Sequence, residues 1–284
     1  MATDTIDEAL AGMDAIIDRA LADGDRRGYF AVLYRKVTAV VKDGVEAGFF
    51  DDGPRMVGLD CRFADRYLDA VAAADRGETP TASWQLSFDA APRWRPLVLQ
   101  HLLVGINAHI NLDLGISAAE VAPGDALADL RRDYDRVNAI LAAMVAEVQR
   151  DLARVSPWLS LLDVVGARNQ EQVVRFSIVV ARAGAWRFAT ELAGADAARW
   201  DALIAARDDA VTRIGRRVLH PGWWPSSALL LARSRERGEV RRHLELLRGV
   251  APPTLDAVAA QVDAPTLHPD AAGDRPPDDG RPGR

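Results

Sequence analysis

The stretch Leu99–Gly115 constrains this chain more than any other, because it sets polar and titratable groups into otherwise apolar sequence. Within Leu99-Gln100-His101-Leu102-Leu103-Val104-Gly105-Ile106-Asn107-Ala108-His109-Ile110-Asn111-Leu112-Asp113-Leu114-Gly115 stand two histidines, two asparagines and an aspartate. Burying such groups costs roughly 1–3 kcal/mol each unless partners or a metal satisfy them. A segment needed only to fill a core would carry Leu or Ala there. The pattern therefore points to a polar centre inside the fold.

Strict alternation from Ile106 to Leu114 has the period of a strand. Against that, the sequence from Pro96 to Val104 is helical in pattern, and nothing elsewhere offers a convincing partner strand, so a continuous buried helix is expected. Apolar residues three or four apart dominate the rest of the chain. Ile6, Leu10, Met13, Ile16 and Ile17 define a first helix ending near Gly24, and Tyr29 to Phe49 a second. A third begins with Pro54 in its first turn and runs to about Asp75. A short helix over Trp84–Phe88 precedes the polar segment. Long helices follow from Gly124 or Asp125 to Val155, from Asn169 to Leu192 and from Asp196 to Leu219. Shorter ones are expected at 158–165, 226–237 and 239–247, with Trp223 and Trp224 covering one end of the core.

From Ala251 the character changes: seven of the chain's 15 prolines fall there, with little bulky apolar content. Such a segment buries too little surface to offset its ordering entropy. The expectation is an all-α fold: one domain over residues 1–250, about eight to ten helices around a buried central helix, then a Pro/Asp-rich tail over 251–284, disordered from about residue 264.

Composition narrows the function. A net charge of −6 argues against a nucleic-acid partner. The single cysteine, Cys61, rules out a disulfide framework or thiolate zinc cluster and reads as a buried small apolar side chain. An acidic N-terminus and the lack of an uninterrupted membrane-length apolar run lead to the expectation of a cytoplasmic protein without a membrane span. No Gly-x-Gly-x-x-Gly, P-loop, Gly-x-Ser-x-Gly or His-Glu-x-x-His occurs, which argues against nucleotide cofactors and the corresponding hydrolases. The paired Glu-x-x-His of di-iron bundles is missing too.

On a helix, His109 and Asp113 lie one turn apart on one face, a spacing that can chelate a divalent cation. His101 lies about 12 Å away along the axis, too far to share that ion. Asn107 and Asn111 form a second one-turn pair on nearly the opposite side. Candidate partners on other helices are Asp60, Asp65, Arg66, Asp133, Asp135, Asn138, Arg168, Glu171, Arg175, Arg182 and Arg187. His220, His243 and His268 are expected to be exposed, and the arginines of 235–242 to form a solvated helix face.

The leading expectation is a metal-dependent hydrolase holding one divalent ion (Zn, Mn or Fe, not distinguished). His109 and Asp113 are its metal ligands, Asp60 or Asp133 completes the site, and His101 acts as general acid or base. The alternative is a non-enzymatic helical protein that binds a small ligand or a partner and whose polar network is structural. A third reading is a metal-free cyclase or isomerase holding an apolar substrate.

The segment Leu99–Gly115 resembles the signature of an uncharacterised, all-helical bacterial family of actinobacterial type, a domain of unknown function. Similar stretches are Tyr29–Arg35, Leu59-Asp60, Phe63-Ala64, Arg66–Leu68, Asp133-Tyr134, Val137-Asn138, Phe176–Ile178 and Ala181-Arg182, spanning about residues 25 to 225. The resemblance implies an all-helical domain and brings no assigned activity or catalytic residue.

Overall fold

Local chemistry starts and stops the first helices where the sequence suggests. Thr5 caps α1 (Ile6–Asp23), its hydroxyl accepting from the Glu8 amide at 3.2 Å, and Gly24 ends it in the left-handed region at φ 68°. α2 spans Arg27–Glu46. Asp52 caps α3 (Gly53–Asp75), accepting from the Arg55 amide at 2.9 Å, with Pro54 in the first turn. The structure, a computed structural model, describes residues 2–155, 170–220, 239–249 and 251–262. Among these it is helical throughout, with no strand: the all-α expectation holds.

After α4 (Ala82–Ala90) comes the polar segment, which forms one rod in three parts: α5 (Val98–Ala108), a π-helical turn (His109–Asp113) and α6 (Leu114–Val121). In the π turn the Leu114 amide bonds the His109 carbonyl, five residues back. The extra residue per turn accommodates a sequence whose alternation fits neither a regular helix face nor, here, a sheet. The rod is long and apolar enough to cross a membrane by length and composition, but 83% of its most apolar 18-residue stretch is buried within the protein, the position of a core helix.

The rod's burial depends on two close approaches. A Cβ on Gly105 would stand 2.8 Å from the Phe30 ring of α2, and one on Gly115 would stand 2.9 Å from the Ala185 carbonyl. The second contact is with α8 (Gln170–Ala193), which packs along α6. Ahead of α8 lies α7 (Leu127–Val155). α9 (Ala197–Leu219) packs on α4 and α5, and α10 (Val240–Arg248) on α1 and α2. One apolar cluster joins α1–α4 and α10 to the α5 end of the rod, and a second joins α6, α7 and α8 to α2 and α3.

A last helix, α11 (Leu255–Val262), packs on α7 with Val258 fully buried. Packing thus continues past residue 250, where the tail was expected to begin, because Leu255 and Val258 suffice to seat one short amphipathic turn. The expected helices at 158–165 and 226–237, together with Arg168, Trp223, Trp224, His268 and the tail from 264, lie outside the described residues.

Candidate functional site

The rod carries two polar faces with different fates. On one, the Asn107 amide donates to the Val211 carbonyl of α9 at 2.9 Å, and Asn111 donates to Asn107 Oδ1 at 3.1 Å. Arg207 of α9 donates to the Asn111 carbonyl at 2.8 Å. Both side-chain amides of this ladder thus donate to an acceptor, which is what buried amides require.

On the other face the π turn presents His109 and Asp113, both buried. Trp84 of α4 donates its indole N–H to Asp113 Oδ2 at 2.8 Å. The same oxygen stands 3.5 Å from His109 Nδ1, close enough for electrostatic attraction but not aligned as a hydrogen bond. The imidazole stacks flat on Phe63 of α3 at 3.5 Å between centroids, and Tyr34 of α2 meets it edge-on at 4.1 Å. Phe30 and Trp84 close the box at 5.4 and 6.2 Å. Neither ring nitrogen has a hydrogen-bond partner. Burial lowers the His109 pKa from its ordinary value, opposed by Asp113, so the ring is neutral at pH 7. Burial also pushes the Tyr34 hydroxyl well above its usual range, and the Asp60 charge adds to that.

His109 forms part of the wall of a cavity of about 190 Å³ between α2, α3, the rod, α7 and α8. The wall is otherwise almost wholly apolar, with Phe63, Leu102, Ile106, Leu141 and Met144 among its members; Tyr34 and Arg182 are its other polar residues. The space exceeds the roughly 150 Å³ that suffices for benzene in an engineered apolar cavity. A neutral imidazole there can donate from one nitrogen and accept at the other.

The other expected site residues do not join this centre. Asp133 of α7 accepts from the Asp51 and Asp52 amides at 2.8 and 2.9 Å and from Arg136 at 2.7 Å, anchoring the chain that leads into α3. Asp65 holds the Thr3 amide at 3.0 Å, Arg66 pairs with Glu120, and Asp135 pairs with Arg131. His101 is buried near Tyr29, at 6.0 Å between rings, and does not line the cavity. Asp60 is buried in α3 with Oδ2 unpartnered, and desolvation raises its pKa to about 7. Its charge reaches Tyr34, yet it makes no contact with His109.

The side chains of Glu171 and Arg175 are outside the described set. His220 is exposed, as expected. His243 is not. It is buried, with Nδ1 3.2 Å from the Tyr29 hydroxyl, because α10 turns its other face, including Arg241 and Arg242, to solvent.

Sequence reasoning missed the aromatic box, whose members come from α2, α3 and α4. It also missed Asp208 of α9, which caps α4 by accepting from the Ala82 and Ser83 amides at 2.6 and 3.0 Å. An aromatic at Tyr34, Phe63 or Trp84 reads as ordinary core until the helices are brought together. Among the described residues, no group of three or more His, Cys, Asp or Glu is arranged to hold a metal ion. No curated protein and no solved structure matches the chain. A family model does match, over residues 6–221, and the chain belongs to that family of unknown function (DUF5995).

Proposed function

We propose that this protein binds a small, largely apolar molecule in the cavity between the rod, α2, α7 and α8, with His109 as a polar contact for it. The observation that carries this reading is the imidazole itself. It is buried, neutral and on the wall of an apolar cavity, and its nitrogens lack protein partners. Buried polar groups are normally satisfied from within. A ligand bearing one hydrogen-bonding group would meet that need once a small rotation of the ring turns a nitrogen toward the cavity, and the Trp84–Asp113 bond holds the carboxylate 3.5 Å from Nδ1.

A second reading keeps the divalent ion, because His109 Nδ1 and Asp113 Oδ2 approach to 3.5 Å. Two donors fall short of the usual three or four protein ligands, and Asp113 Oδ2 already accepts from Trp84. Titration calorimetry with 1-octanol tests the first reading. Wild type is expected to bind, and the cavity-filling variants Leu103→Trp and Val137→Phe to lose binding while remaining folded by circular dichroism. Unimpaired binding in both folded variants would overturn it. Stoichiometric metal in the purified protein, lost in His109→Ala, would replace it with the metal-site reading.

A further inference from the structure

The cavity has a second feature that bears on what occupies it. Arg182 of α8 lines it and is only 3% exposed. Its guanidinium donates from Nε to Asn138 Oδ1 and from Nη2 to the Tyr134 carbonyl, both at 2.5 Å, and lies 4.2 Å above the Tyr134 ring. Tyr134 returns the contact, donating its hydroxyl to the Arg182 carbonyl at 2.8 Å. Every one of these partners is neutral. Asp135, the carboxylate whose charge reaches Arg182, is itself engaged by Arg131 at 2.7 Å. No carboxylate among the described residues pairs with the guanidinium.

An arginine cannot shed its charge as a lysine can, so burying one without a counter-ion carries a large desolvation cost. Here the clamp between α7 and α8 uses two of the five N–H donors and holds the plane rigid. The remaining donors have no acceptor among the described residues. A fixed, dehydrated, unpaired cation on the wall of an apolar cavity is the arrangement that recognises an anion attached to an apolar body.

Building on the reading that the cavity takes a small apolar ligand, we infer that the ligand is an amphipathic carboxylate whose anionic group pairs with Arg182. Its hydrocarbon part lies among Phe63, Leu102, Ile106 and Met144, and a further polar substituent meets His109. The cost of desolvating the guanidinium is already met on folding, so the ligand contributes only its own carboxylate desolvation and gains a charge-assisted, forked contact. That contact is worth most where water is excluded.

Octanoate and 1-octanol share a hydrocarbon chain and differ in headgroup charge, so titration calorimetry of both at pH 7.5 isolates the contribution of Arg182. Wild type is expected to bind octanoate about tenfold or more tightly than octanol, the margin a charge-assisted pair supplies. Arg182→Met is expected to lose the preference and bind the two alike, and Arg182→Lys to keep part of it. If Arg182→Met does not fold, the wild-type ratio and the lysine variant still decide. Octanol binding without any preference for octanoate would overturn the inference and leave the apolar-cavity reading standing. A preference for octanoate that persists in folded Arg182→Met would remove Arg182 as the counter-ion. Binding of neither probe would overturn both.

Discussion

The Asn107–Asn111 face and the His109–Asp113 face occupy one rod, one turn apart in each case, and obey opposite rules. The Asn107 amide donates to α9 and the Asn111 amide to Asn107, whereas the histidine meets aromatic rings and a cavity with neither nitrogen hydrogen-bonded. The same contrast runs through the buried aspartates. Asp133 and Asp208 take backbone amides that would otherwise be orphaned at helix starts, while Asp60 leaves an oxygen unpartnered. Matched groups serve the fold. Unmatched groups burden it, and their presence calls for another purpose. Substitutions should therefore destabilise in the first class and stabilise in the second.

The largest expected effect is at Asp60. Its folded pKa, about 7, lies above the unfolded carboxylate value, so the native state favours the protonated form. Its contribution is fully present below about pH 4 and is lost as pH rises through 7, by up to about 4 kcal/mol. Asp60→Asn, which mimics the neutral acid, should raise stability to urea at pH 8 and leave it unchanged at pH 4. Equal effects at both pH values would break the assignment.

Asp133→Ala should move the other way. It strands two amides and Arg136, and urea unfolding should show a loss of about 2–3 kcal/mol. Asn107→Ala sharpens the comparison on the rod itself, with an expected loss of about 1–2 kcal/mol from the freed Val211 carbonyl and the broken Asn111 contact. If either substitution stabilised the protein, matched and unmatched would cease to be useful categories.

A smaller effect concerns acid. The His109 pKa is lowered on folding, so the unfolded state binds a proton that the native state refuses, and stability falls as pH drops below 6.5. Thermal unfolding between pH 7.5 and 5.5 should decline more steeply in wild type than in His109→Phe. Parallel curves would show that the ring is not held neutral.

Much of this was written in the sequence, for identifiable reasons. The helix starts at Ile6 and Gly53 and the stop at Gly24 follow from local cap chemistry, and the His109–Asp113 pairing follows from spacing alone. The alternation around His109 signalled an anomaly, but only the folded chain resolves it as a π turn. Other features depend on which helices become neighbours. His243 sits among arginines in the chain yet is buried against Tyr29, and Asp133 reads as a candidate acid until the turn before α3 folds onto it. The cavity and the unpaired Arg182 are likewise long-range outcomes. Sequence shows an arginine at position 182 but not that its acceptors are Asn138 and a carbonyl rather than a carboxylate.

If the cavity binds as proposed, His109 is kept at the expense of stability for the sake of what the cavity holds. Replacing it with Phe preserves the aromatic packing against Phe63 and Tyr34 and removes both unpaired nitrogens. Measuring urea stability and 1-octanol binding on the same sample of His109→Phe tests the claim directly. The expected result is a gain of about 1 kcal/mol together with weaker binding. A variant less stable than wild type that binds octanol unchanged would contradict it.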